Sequence, residues 1–527
     1  MGGRGEGAVL TASPEVIGTP PPLRTPPSPD PRRRLGVDGL DDRLRGWVVT
    51  IVLGVLGGVL RFAGLRYPTD QGTPVFDEKH YVPQAWQMLQ NGGVEDNPGY
   101  ELTVHPPLAK QLIAIGEWIF GYDSLGWRVA AAAAGTLCIV LIIRAGRRLT
   151  RSTLLGGVAG LLLICDGLSH VQSRIGMLDV FSALFVLAAF TTMLRDRDDV
   201  RARMAVVMAE GRVDDTVYGP RLGFRWWRFG TGVLLGMGCA VKWSGVYWVV
   251  GFAVLTVLWD VTARRAAGVQ RPWVGTVRRD LLPAIWALAL VPFLTYLACW
   301  WAWFGSETST DRHAVGIAVG TGGPFSFVPD ALRSLWYYSG KVLAFHESLD
   351  TPPGNPHPWE SKPWTWPMGL RPMLYYYAGG SDVTGCGESE CVSAVMLIGT
   401  PALWWPAPVV GAWALWRAVT RFDWRYVAVL VGYGAGFLPW FLNLNRQMYF
   451  FYMAPVVPFL VLGTVLVMGE VLGRARAQRE RRQTGLLVVA LWVGLIVANF
   501  AWLWPILDGV AITQSQWQAE LWLPSWR

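Results

Sequence analysis

The chain has 527 residues, 52% of them hydrophobic and 16% charged, with a mean hydropathy of +0.31 and a net charge of +8. Repeated apolar runs close to the roughly 20 residues that cross a bilayer as helix exclude an ordinary water-soluble domain and mark a polytopic α-helical membrane protein. The surplus of Lys and Arg calls for no nucleic acid; it reads as a topology signal and as attraction to the headgroups of membrane lipids.

Residues 1–46 hold Pro20, Pro21, Pro22, Arg32, Arg33 and Arg34 and no apolar period, so they are expected to form a disordered cytoplasmic tail. The first apolar run starts late and lacks a small-residue cleavage pattern, so it is expected to remain as an anchor. Apolar runs lie near 47–65, 127–143, 154–165, 177–194, 229–241, 243–259, 282–304, 394–416, 426–442, 449–472 and 484–505. They predict about eleven transmembrane helices in a body spanning 47–505. Every second connection is rich in arginine: Arg144, Arg147, Arg148 and Arg151, then 195–228, 264–279, Arg417 with Arg421 and Arg425, and 474–482. Because short cytoplasmic loops collect Lys and Arg, the N-terminus is placed inside and the 506–527 tail outside. The short opposite connections carry one basic residue each, namely Arg174, Lys242 and Arg446.

Two longer segments, 66–126 and 305–393, fall on the outer side. Within the first, 81–90 and 108–120 mix polar and apolar residues at helical spacing, and Trp86 and Trp118 suit helices lying on the membrane surface. A rigid His105-Pro106-Pro107 turn leads into the second of them. Cys386 and Cys391 share the other loop, where a disulfide and two free thiols are both open readings. The other four cysteines read as small core residues, and no four-ligand zinc spacing occurs.

No GxxxxGK[ST] pattern is present, and an outward-facing enzyme has no access to cytoplasmic nucleotides, so an activated group would arrive on a lipid phosphate. Transfer from such a carrier needs a base for the acceptor hydroxyl and cations for the departing phosphate. Asp77 and Glu78, at the outer mouth of the first span, are the candidate carboxylates, with His80 close by. Arg128, Arg174, Lys242 and Arg446 stand at four outer helix ends and are candidates for a phosphate clamp. Each has a plainer reading: the acidic pair as solvated charge, the cations as headgroup anchors. Asp179 lies inside an apolar run, so it is either functional or the buried partner of Arg174. No cofactor is called for; a divalent metal on His80, His105 and the carboxylates stays open as the weaker alternative.

These residues fall in an order that closely resembles the protein O-mannosyltransferase family. The resemblance rests on Asp77-Glu78 with His80-Tyr81, the run from His105 through Lys110, Trp127-Arg128, Arg174 to Asp179, and Val241-Lys242-Trp243-Ser244-Gly245. It continues through Asn355-Pro356-His357-Pro358-Trp359-Glu360-Ser361-Lys362-Pro363-Trp364, Trp366-Pro367-Met368 and Arg446 to Tyr452, covering about 66–460. It implies a GT-C-type glycosyltransferase with a polyprenyl phosphate mannose donor and Ser or Thr hydroxyls of secreted or translocating proteins as acceptors. It further implies an inverting reaction centred on Asp77 and Glu78, in which Asp77 deprotonates the acceptor hydroxyl, with Arg128 and Arg446, and more weakly Lys242, at the donor phosphate. His80, His105, Lys110, Arg174, Asp179, His357, Trp359 and Trp364 are placed in the substrate vicinity. Eukaryotic members carry a large β-trefoil domain in the second outer loop; 305–393 is too short for one, which fits a bacterial, plasma-membrane form.

A GT-C enzyme acting on a cell-wall glycan or lipid is the nearest rival, and a transporter or flippase the non-enzyme one. An oligosaccharyltransferase would carry Trp-Trp-Asp on a large soluble domain, whereas Trp300-Trp301 is followed by Ala302. The translocon is a candidate partner.

Overall fold

The computed structural model describes residues 2–3, 30–37, 42–95, 104–352, 354–380, 383–473 and 478–527. In chain order its principal elements begin with α1 (Arg43–Phe62), α2 (Glu78–Gln90), α3 (Leu108–Phe120), α4 (Ser124–Thr150), α5 (Thr153–Ile164) and α6 (Asp179–Ala209). Next come α7 (Trp226–Val241), α8 (Gly245–Ala267), the continuous helical rod α9 (Pro272–Cys299) and α10 (Asp330–Glu347). A hairpin of β1 (Met373–Gly380) and β2 (Cys391–Leu397) precedes α11 (Ala407–Arg421), α12 (Trp424–Phe437), α13 (Val457–Leu472), α14 (Arg479–Asp508) and β3 (Ile512–Thr513). Each of the eleven apolar runs contains a helix; α1, α4, α8, α9 and α14 are long and apolar enough to cross a membrane unaided.

Local chemistry sets the ends of these rods. Asp123 starts α4 by accepting from the Leu125 and Gly126 amides, and Ser152 starts α5 by accepting from Leu155. Between rods, small residues let backbones approach, which is the main packing device where lipid removes the hydrophobic drive. A Cβ on Gly232 of α7 would lie 1.9 Å from the Ala287 carbonyl oxygen of α9, and one on Gly57 of α1 would lie 2.2 Å from Ile139.

Contacts sort the connections into two ends. At one end Arg147 meets Asp42, Arg148 meets Asp198, Arg225 bridges Asp196 and Asp260, and Arg264 meets Asp280. Arg197 stacks 3.4 Å from the Trp424 ring, which brings the α11–α12 turn to the same end. At the other end the segments around residues 65–80, 128, 176, 242, 346 and 446 converge. The first end thus gathers four of the five arginine-rich connections.

Three features depart from the sequence reading. Residues 31–35, expected in a structureless tail, form a helical turn that buries Leu35 and accepts from Arg201 through the Leu35 carbonyl, 3.0 Å. The 394–416 run is not one helix: its start lies in β2, whose seven residues are all buried, and α11 begins at Ala407. The second outer loop supplies a hairpin, β1 and β2, to a three-stranded antiparallel sheet that β3 of the C-terminal segment completes, with Met373 opposite Leu397 and a register shift between Leu374 and Tyr376. A disulfide joins Cys386, in that hairpin's loop, to Cys391, the first residue of β2.

Candidate active site

Backbone at Val75–Glu78 separates the two carboxylates. Phe76 adopts φ +50°, a left-handed conformation that is costly for an aromatic residue and is held by its ring stacked 4.2 Å from Tyr375. Beyond that turn Asp77 occupies the N-cap position of α2, and Glu78 is the first helical residue.

Glu78 is fully buried and its acceptor sites are taken. Arg128 grips it with two parallel bonds of 2.8 Å, Nε to Oε1 and Nη2 to Oε2; the Gly176 amide donates at 2.6 Å and the Val75 amide at 3.0 Å. The sequence points to Arg128 as a phosphate contact, but its guanidinium is equally buried and also donates to the Leu65 carbonyl at 3.2 Å. Such a bidentate pair fixes geometry and leaves neither partner free to act on a ligand. It ties together the end of α1, the Asp77 turn, α4 and the segment before α6.

Asp77 differs in every respect. It is half-buried, makes no side-chain capping bond, and its carboxylate has no hydrogen bond or ion pair among the described residues. Burial pushes its carboxyl up to about 6, while the charges of Lys242 and His80 pull the other way. Lys242 lies at the end of α7 and donates to both oxygens of Asp179 at 2.9 Å; its ammonium also faces the Phe451 ring at 5.5 Å. Asp179 is therefore the partner of Lys242, not of Arg174.

Another cation and two imidazoles belong to the same group. Arg446 donates to the His346 carbonyl and to its Nδ1, and its Nε is buried without a partner among the described residues. The His346 ring lies 5.6 Å from that of His105, which lies 6.0 Å from Tyr81. Burial and the Arg446 charge push His346 down to about 4, and burial with the Lys242 charge holds His105 well below the usual range. Both imidazoles are thus neutral near pH 7 and offer hydrogen bonds without adding charge. Among the described residues, no three His, Cys, Asp or Glu side chains converge well enough to hold a metal ion.

Other sequence candidates sit farther out. Arg174 donates to the Leu60, Arg61 and Ala63 carbonyls at the end of α1 and pairs with Asp508 at 2.7 Å, so it fastens helix ends together. Lys110 is buried against Glu95. His80 and His357 are exposed; Trp359 is half-buried beside Arg371, and Trp364 is 59% exposed. Sequence reasoning missed His346 and the role of Lys362, whose ammonium pairs with Glu360 and donates to the Leu444 and Arg446 carbonyls at 2.9 Å. The Pro-rich 355–367 loop thereby fixes the backbone that presents Arg446.

Comparison with known proteins bears on this arrangement. Residues 123–306 match the family described as dolichyl-phosphate-mannose-protein mannosyltransferase, and 331–526 match the C-terminal four TMM region of protein-O-mannosyltransferase. A polyprenol-phosphate-mannose–protein mannosyltransferase of Mycobacterium tuberculosis is 57% identical over 500 residues, covering 95% of each chain. This chain belongs to the protein O-mannosyltransferase family. A relative of the same description from Corynebacterium glutamicum is 42% identical over 484 residues, covering 90% of this chain and 92% of that one.

The structure of the S. cerevisiae protein O-mannosyltransferase Pmt1-Pmt2 complex bound to the sugar donor superposes with a TM-score of 0.71 at 15% identity, covering 94% of this chain and 95% of that one. The apo oligosaccharyltransferase of Archaeoglobus fulgidus gives 0.50 at 13% identity, covering 91% and 58%. At those identities the likeness speaks to the fold, a multi-pass GT-C membrane fold. Membership of the mannosyltransferase family rests on the bacterial relatives, and it makes this protein a glycosyltransferase.

Proposed function

We propose that this protein O-mannosyltransferase moves mannose from a polyprenyl phosphate mannose to Ser or Thr hydroxyls of secreted polypeptides, at the extracytoplasmic face of the plasma membrane. The observation that carries the reading is the Asp77 carboxylate, unpaired among the described residues and within the electrostatic reach of Lys242, beside the group of Arg446, His346 and His105. Asp77 accepts the proton of the acceptor hydroxyl as its oxygen attacks the anomeric carbon. The bond from that carbon to the phosphate oxygen breaks, with inversion, and its electrons leave on the lipid phosphate. Arg446, through its unpartnered Nε, and Lys242 stabilise the departing charge. Glu78 and Arg128 act through the backbone they brace, as positioning residues. The arginine-rich end is cytoplasmic and this group and the C-terminus lie outside.

The test is transfer of labelled mannose from polyprenyl phosphate mannose to a Ser/Thr-containing peptide, in membranes holding wild type or Asp77→Asn at equal level. At least a hundredfold loss in the variant, about 2.7 kcal/mol of transition-state stabilisation, is expected. Transfer that survives the substitution would remove Asp77 as base. Folded wild type that labels a glycan or lipid and no peptide would transfer the assignment to the cell-wall reading.

A further inference from the structure

The arginine-rich end carries a cationic site with an apolar groove running from it. Arg144 of α4 lays its guanidinium 4.2 Å from the Trp47 ring of α1, and its Nη1 is buried with no hydrogen-bond partner among the described residues. The like charges acting on it are those of Arg147, Arg148, Arg195 and Arg43. Acids neutralise two of these: Asp42 takes Arg147 and Asp198 takes Arg148. Among the described residues Arg43, Arg144 and Arg195 form no ion pair, and Arg195 instead stacks 4.6 Å from Trp227. Both tryptophans are partly exposed, as expected of rings at a membrane–water boundary.

From Trp47 the outer surface of α1 and α4 is grooved. This wide, open surface depression of about 510 Å³ is lined by Thr50, Gly54, Gly58 and Phe62 of α1 and Thr136 and Val140 of α4. The glycines make its floor: a Cβ on Gly54 would lie 3.2 Å from Val140 and one on Gly58 3.3 Å from Thr136. From Trp47 to Phe62 the helix rises about 22 Å, more than the roughly 15 Å of hydrocarbon in one leaflet.

We propose that this face holds one anionic diacyl phospholipid of the leaflet at the arginine-rich end, its phosphate on Arg144 between Arg43 and Arg195 and one acyl chain in the α1–α4 groove. A free phosphate would use the cations and leave the groove without an occupant. A second copy of the chain is disfavoured, because a two-fold contact through this face brings Arg43 and Arg144 against their own copies. An anionic lipid satisfies both halves of the site.

Native mass spectrometry of the detergent-solubilised full chain tests this, with added phosphatidylglycerol, phosphatidylcholine or inorganic phosphate. Wild type is expected to retain phosphatidylglycerol in preference to phosphatidylcholine. The pair Arg43→Gln and Arg144→Gln is expected to weaken that retention roughly 30-fold. Gly54→Leu, which fills the groove, should weaken both lipids and leave phosphate binding unchanged. Equal retention of the two lipids by wild type would overturn the proposal without any variant. So would phosphate binding as tight as the lipid's, or a Gly54→Leu protein that loses a dimer while keeping its lipid.

Discussion

Truncating Arg128 to Ala strands Glu78 as a buried carboxylate facing two amides, with its charge partner gone. Loss of one member of a buried pair costs about 3–5 kcal/mol, so Arg128→Ala is expected to melt well below wild type in a detergent thermal-unfolding assay. Arg128→Lys restores little, because one ammonium cannot reproduce two parallel bonds. Asp77 gives a kinetic signature instead. Burial raises its carboxyl to about 6, and only the ionised form accepts a proton. Transfer measured as kcat/KM is therefore flat above that pH and falls about tenfold per unit below it. A profile without that limb in wild type would separate the base from Asp77. Sequence alone placed Asp77, Lys242 and Arg446 at outer helix ends, and the fold gathers them in one group. The residues by themselves leave Asp77 and Glu78 equivalent, because the difference lies in Arg128 and the Gly176 amide, both distant in sequence; it is the family resemblance that points to Asp77 as the base. His346 gave no signal at all: it ends a mixed helix, α10, with no motif around it.

At the level of elements, helix contact in this bundle rests on small residues, and Gly232 is the clearest case. Any larger side chain there meets the Ala287 carbonyl oxygen, which is backbone and has no rotamer to move aside. Gly232→Leu is expected to separate α7 from α9 and to abolish accumulation of monodisperse protein in size-exclusion chromatography, whereas Gly411→Leu, with open space at its Cβ, is tolerated. The apolar rods were legible because bilayer thickness imposes their length and composition. The sheet was not. β2 is buried on both faces, so Cys391–Leu397 shows no alternation and merges into the apolar run that follows. Its partner β3 is two residues long and stands just beyond α14, too short to register as a strand.

Across the whole molecule, the arginines that served as a topology signal are also structural: Arg225 bridges Asp196 and Asp260, and Arg264 reaches Asp280. Sidedness is open to direct measurement. In intact cells a membrane-impermeant maleimide is expected to label Arg527→Cys and to spare Arg212→Cys until the membrane is permeabilised; the reverse order would invert the topology. The same folding scheme governs when activity begins. Asp77 leaves the ribosome early, whereas Arg446 and the segment that pairs with β2 near the C-terminus come last. A nascent chain carries Asp77 long before it carries the arginine beside His346. On the proposed assignment of those two residues, a partly inserted chain is expected to transfer no mannose until Arg446 has emerged.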